Sequence, residues 1–177
     1  MSSSGPPYRI LMVCMGNICR SPTAEGMARK RLDERGFDRG VEVDSAGTHA
    51  YHVGHAPDPR SQEAALAQGI AIGDQRARKV SADDFTTFDL ILAMDESNLL
   101  DLEAIAPADG TARIEKIMDY SNLGITSDVP DPYYGGSHGF EQVLKLLDNA
   151  VDGLLDSLAP ELEARLGASR DGSPPSS

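Results

Sequence analysis

Cys14, Arg20 and Ser21 stand in one short stretch, Cys14-Met15-Gly16-Asn17-Ile18-Cys19-Arg20-Ser21, and their spacing suits phosphate chemistry. A loop folded tightly after a strand turns successive backbone N–H groups inward and makes an anion-binding hollow. A helix starting at Pro22 would add its positive end. Gly16 removes a side chain where the backbone must approach closely, and Asn17 tolerates left-handed angles while bracing the loop through its amide. Arg20 offers a planar fork that matches two phosphate oxygens. Such surroundings favour the thiolate of Cys14, with the Ser21 hydroxyl beside it to steady the sulfur. A thiolate facing a clamped phosphate is set up for in-line displacement, giving a cysteinyl-phosphate that water hydrolyses, without metal or cofactor.

The leaving oxygen still needs a proton, and the loop has no acid. Asp131 in Val129-Pro130-Asp131-Pro132-Tyr133-Tyr134-Gly135 can supply it, because the flanking prolines limit where its carboxyl can go. The same group could activate water in the second step. The chain has five Tyr, four Phe and no Trp, and two of those tyrosines, Tyr133 and Tyr134, adjoin this acid. They suit the wall of a deep cleft that accepts an aryl ring.

Elements that would hold these residues follow from pattern and punctuation. Residues 8–14 form an almost unbroken apolar run, as in a strand buried on both faces of a parallel sheet. Ser21-Pro22 reads as N-cap and N1 of a helix closed by Gly36. Further strands are expected at 41–44, 88–94 and 113–118, and helices at 59–68 and from 95 to about 105. A last helix spans about 139–158, broken at Pro160 before a possible continuation to 166. Alternating strands and helices imply an α/β fold with a four-stranded parallel sheet covered on both faces. Ligands of such sheets bind at the carboxyl ends of the strands, where the Cys14 loop falls.

The chain has 177 residues, enough for one domain. We expect disordered tails at 1–7 and 167–177, both rich in Ser, Pro or Gly, around a domain at 8–166. The net charge of −12 argues against nucleic acid and anionic membranes as partners. No stretch approaches the roughly 18 apolar residues of a membrane span, and the N-terminus lacks the pattern of a secretory signal. Two clustered cysteines point to reactive thiols in a reducing, cytoplasmic setting. His49, His52, His55 and His138 have no zinc-site spacing.

The stretch Val13 to Pro22 resembles the signature of the low-molecular-weight protein tyrosine phosphatases, bacterial type. The likeness extends to Asp44-Ser45-Ala46-Gly47-Thr48, to Met94-Asp95-Glu96-Ser97-Asn98-Leu99 and to Asp131-Pro132-Tyr133-Tyr134-Gly135. It implies a flavodoxin-like fold and hydrolysis of phosphotyrosine by a monomer acting on tyrosine-phosphorylated proteins, with a cognate tyrosine kinase upstream. By that likeness Cys14 is nucleophile, Arg20 the phosphate clamp and Asp131 the acid and base. Met15, Gly16, Asn17, Ile18, Cys19 and Ser21 complete the phosphate loop, and Ser45 supports it. Tyr51 stands near the place of a cleft tryptophan found in many relatives, and Gln75 near that of a histidine. Tyr133 and Tyr134 are, by the same likeness, candidate phosphorylation sites.

Rival readings lead to different chemistry. Arsenate reduction by a thiol relay would use a similar loop but needs further thiols, and none follows Cys19. A silent phosphotyrosine-binding module would not need the full Cys14, Arg20 and Asp131 set. Cys19 is open between a packed thiol and a resolving partner for oxidised Cys14.

Overall fold

The computed structural model describes residues 6–124, 126–132 and 137–170. Its sheet has four parallel strands in the order β2-β1-β3-β4. These are β1 (Tyr8–Cys14), β2 (Val41–Gly47), β3 (Leu90–Ala93) and β4 (Arg113–Lys116). Helices α1 (Arg20–Arg35), α2 (Pro59–Ala67), α3 (Asp84–Thr87), α4 (Glu96–Ile105) and α5 (Ser137–Arg170) alternate with them. The expected fold class is the one observed.

Why β1 carries no polar alternation is clear from its neighbours. Ile10, Met12 and Cys14 belong to the core shared with α1 and α5, whereas Leu11 and Val13 pack with Phe85, Phe88 and Leu102 on the other face. Both faces are dry, so both residue sets must be apolar. Because β1 sits between β2 and β3, the crossovers on either side of it lead in opposite directions along the sheet, and a crevice opens at its carboxyl end. Cys14 ends β1 at that point.

Three local expectations need correction. Helix α1 begins at Arg20 with Cys19 in the cap position, not at a Ser21 cap. Pro22 still falls in the first turn, where a missing N–H removes no intrahelical bond. The last helix does not break at Pro160. Leu158 and Leu162 are both buried in the main core, and their packing outweighs the lost hydrogen bond. It also runs to Arg170, past the expected domain end, with the Arg165 guanidinium over the Tyr8 ring and donating to Pro6 O at 3.0 Å. Finally, strands three and four are shorter than expected, and β4 passes into a 3-10 turn at Ile117–Tyr120. Among the described residues no helix is long and apolar enough to cross a membrane.

Candidate active site

The hollow at the end of β1 is built by carbonyls that point away from it. Cys14 O accepts from Thr48 N–H at 2.9 Å, Met15 O from His49 N–H at 3.0 Å and Ile18 O from Asp58 N–H at 2.8 Å. Cys19 O accepts from the Thr23 hydroxyl at 2.8 Å. Each such peptide unit presents its N–H to the opposite side. Among the described residues the N–H groups of Met15, Gly16, Ile18 and Cys19 donate to no backbone carbonyl. Asn17 N–H donates to Cys14 Sγ at 3.3 Å. Four amides without internal partners and one aimed at a sulfur make a cradle for an anion. Gly47 makes the tight approach possible, since a Cβ there would lie 2.7 Å from Met15 O.

Asn17 is the hub behind the cradle. It has a positive φ of 59°, and its side chain is almost fully buried. Its Nδ2 donates to Ser21 Oγ at 2.8 Å and to Ser45 Oγ at 3.0 Å, and its Oδ1 accepts from Arg78 N–H at 3.0 Å. Ser45 then donates to Glu25 Oε1 at 2.7 Å. Because Ser21 Oγ already accepts from Asn17, its own proton is available for Cys14 Sγ, 3.0 Å away. The hydroxyl inside the first turn of α1 thus serves the sulfur instead of capping the helix. Burial pushes the Glu25 carboxyl up from the usual range, partly offset by the bond from Ser45 and the Arg29 guanidinium. Gln75 spans the same region, with Nε2 donating to Pro22 O at 3.0 Å and Oε1 lying 3.4 Å from Ser45 Oγ.

Arg20 forms the opposite wall and is buried. Its Nη1 donates to Asp95 Oδ2 at 2.6 Å and to Val129 O at 3.1 Å, and its Nη2 lies 3.5 Å from Asp131 Oδ2. Its Nε has no hydrogen-bond partner among the described residues. A buried donor left unpaired costs free energy, so an arrangement like this one favours a ligand that accepts from it. Cys14, Met15, Gly16, Ile18, Cys19, Arg20, Tyr51, His52 and Asp131 line one cavity of about 290 Å³.

A family model described as low molecular weight phosphotyrosine protein phosphatase matches residues 9–164. The chain belongs to this family. The phosphatase is 40% identical over 161 residues to the low molecular weight protein-tyrosine-phosphatase of Streptomyces coelicolor, covering 89% of this chain and 98% of the relative. Its fold is similar to the crystal structure of YfkJ from Bacillus subtilis, with a TM-score of 0.83, 37% identity and coverage of 90% and 99%. It is equally similar to a protein tyrosine phosphatase from Entamoeba histolytica crystallised with Hepes in its active site. That comparison has a TM-score of 0.83, 37% identity and coverage of 87% and 98%.

Within the phosphatase, Cys14, Arg20 and Asp131 meet around one hollow, although Asp131 is remote in sequence. Asn17, Ser21 and Ser45 lie behind it as one hydrogen-bonded group. Tyr51 is largely exposed and stacks on His49 with ring centroids 5.2 Å apart, so it forms the rim and not a deep wall. Tyr133 and Tyr134 lie outside the described residues. Burial pushes the Cys19 thiol up to about 12, against a weaker lowering effect of Ser61. Of the two readings of Cys19, the packed thiol is the one its surroundings favour.

Several participants escaped notice in the sequence. Asp95 gave a cap signal, and it does accept from Asn98 N–H at 2.7 Å, but its second oxygen also holds Arg20. His52 packs over Gly16, where a Cβ would stand 3.0 Å from its ring, and nothing in the pattern flagged it. Glu25, which holds Ser45, carries no local signal of that contact. Volume is a poor guide here too. A larger hollow of about 840 Å³ lies between α1, α2 and α5, away from Cys14.

Proposed function

We propose that the phosphatase hydrolyses phosphotyrosine and aryl phosphates through a cysteinyl-phosphate, with Cys14 as nucleophile. The observation that carries this reading is the set of donors at the Cys14 hollow that find no partner among the described residues, four loop amides and Arg20 Nε, with the Asp131 carboxyl beside the same guanidinium. Three equatorial phosphate oxygens can be met by the amides and by the guanidinium edge, which neutralises charge as it develops.

In the first step the Cys14 thiolate attacks phosphorus, an S–P bond forms, and the P–O bond to the aryl group breaks. Asp131 gives its proton to the departing phenoxide. In the second step Asp131 takes a proton from water, whose oxygen forms a bond to phosphorus as the S–P bond breaks. Inorganic phosphate leaves, and the hydroxyl of Ser21 with Asn17 N–H receives the thiolate. Net charge returns to its starting state, and no external reductant enters.

The rim of Met15, Tyr51 and His52 around the hollow supports an aryl phosphate over a short alkyl one, since a flat ring can pass between these side chains. We further propose tyrosine-phosphorylated proteins as substrates, a cognate tyrosine kinase as the source of the phosphate, a monomeric enzyme and a cytoplasmic setting. The two free thiols support the last of these. Arsenate reduction by thiol relay lacks support, because no cysteine follows Cys19.

The test is Cys14→Ser against aryl phosphates and phosphotyrosyl peptides, together with substrate capture by Asp131→Ala. Loss of turnover in the first and retention of bound phosphopeptide in the second are expected. Persisting turnover by Cys14→Ser would overturn the reading.

A further inference from the structure

Segment 77–80 touches the site without entering it. Gly47 N–H donates to Arg78 O at 2.8 Å and Val80 N–H donates to Gly47 O at 2.9 Å, so the segment runs beside the end of β2. From there Arg78 N–H reaches Asn17 Oδ1 at 3.0 Å. One residue earlier, Ala77 N–H donates to His55 O at 2.9 Å and Ala77 O accepts from Gly54 N–H at 2.8 Å. The same short piece therefore holds the hub of the phosphate loop and the rim that carries Tyr51 and His52.

The segment is itself fixed by the Arg78 side chain. Nε and Nη2 approach Asp44 Oδ2 at 3.3 and 3.1 Å, while Nη1 and Nη2 approach Asp84 Oδ2 and Oδ1 at 3.0 and 3.2 Å. Asp84 is buried at the start of α3 and also accepts from Ser81 N–H at 2.8 Å. Asp44 immediately precedes Ser45, and its Oδ1 accepts from Ser45 N–H at 2.8 Å. The Asn17 amide is thus anchored on one side by Ser45 and on the other by Arg78 N–H, and the Arg78 fork sets the spacing between these two anchors.

We propose that Arg78 is a positioning residue for phosphoryl transfer, acting through Asn17 on the donors that face Cys14. The inference rests on the proposed reading of the Cys14 loop. A planar fork can hold both carboxylates at fixed angles, whereas an ammonium is a point charge on a flexible stem. Reaction rates respond steeply to small displacements of positioned groups, so loosening the fork lowers kcat even when the chain stays folded.

The experiment compares Arg78→Ala, Arg78→Lys, Asn17→Gly and the Arg78→Ala, Asn17→Gly double variant. It measures kcat and KM for an aryl phosphate, competitive inhibition by inorganic phosphate, and thermal midpoints. Arg78→Ala is expected to lower kcat about tenfold or more and to weaken inhibition by phosphate, with Arg78→Lys recovering part of the loss. The double variant should be no slower than Asn17→Gly alone, because both changes act through one group. Unchanged kcat and phosphate inhibition in folded Arg78→Ala, or losses that multiply in the double variant, would overturn the proposal. If Arg78→Ala does not fold, Asp44→Asn decides the matter, since an asparagine can still accept from Ser45 N–H but loses the charge facing Arg78. Reduced kcat supports the proposal and unchanged kcat overturns it. Cys14→Ser run alongside separates the two levels: persisting turnover there undermines the loop reading, whereas an inert Cys14→Ser with normal Arg78→Ala undermines only the role of Arg78.

Discussion

The Arg20 guanidinium and the Asp95 carboxylate meet at 2.6 Å, with Asp95 Oδ1 held in turn by Asn98 N–H at 2.7 Å. One carboxylate therefore caps α4 and holds the buried guanidinium, whose Nε has no partner among the described residues. Asp95→Asn keeps the cap and weakens the hold. We expect Asp95→Asn to lower kcat/KM for aryl phosphates with a small change in thermal midpoint. Asp95→Ala should lose roughly 100-fold in kcat/KM together with the helix cap. Steady-state kinetics beside thermal melts separates the two effects, and equal kcat/KM for Asp95→Ala and the native chain would refute the holding role.

Asn17 combines a left-handed backbone with three side-chain hydrogen bonds. Asn17→Gly keeps the backbone conformation and deletes the bonds, whereas Asn17→Ala also strains the turn. Both variants should lose most of their turnover. Asn17→Ala should additionally unfold at lower denaturant, by about 1 kcal/mol relative to Asn17→Gly. Equal stability of the pair in denaturant melts would show that the backbone angle is not under strain.

Two glycines should respond differently to the same change. A Cβ on Gly47 would lie 2.7 Å from Met15 O, on the back of the loop that forms the cradle, so Gly47→Ala should chiefly reduce activity. A Cβ on Gly153 would run into Tyr120 O, where α5 rests on the 3-10 turn. Gly153→Ala should destabilise the fold by about 1–3 kcal/mol while the remaining folded enzyme keeps its kcat. Active-site titration combined with melts checks both outcomes, and an inactive but fully stable Gly153→Ala would contradict this division.

The Cys19 thiol has an ordinary value of 9.0, and burial raises it to about 12 in the fold. The folded chain thus keeps a proton that the unfolded chain has lost, so this contribution to stability is complete below pH 9 and disappears as pH climbs towards 12. Its slope is about 1.4 kcal/mol per pH unit in that window. Cys19→Ala should flatten the fall in stability between those values relative to the native chain. Near pH 8, alkylation followed by peptide mapping should find Cys14 modified and Cys19 spared. Preferential labelling of Cys19 would show that its burial is not protective.

Much of the site was legible because its chemistry is local. Cys14 to Ser21 is one contiguous loop, and the two prolines around Asp131 drew attention to a carboxyl that lies 3.5 Å from Arg20 Nη2. What escaped was set by tertiary contact. Asp95 read as a helix cap because one oxygen is one; its hold on Arg20 spans two elements. Arg78 and Glu25 carry no local signal in sequence, and only the folded chain places them behind Asn17 and Ser45. Pro160 is a helix breaker by local rule, yet Leu158 and Leu162 on either side of it are buried, and packing decides.

The most direct test of Cys14 as nucleophile is rapid quenching of the Asp131→Ala variant during turnover of an aryl phosphate, followed by mass spectrometry of its peptides. With a phenoxide that leaves without a proton, such as 4-nitrophenoxide, the first step still runs while loss of the proposed water-activating carboxyl slows the second, and a phosphoryl group on Cys14 Sγ is the expected result. Turnover with the phosphoryl group on another residue, or with no phosphorylated enzyme at any time, would contradict it.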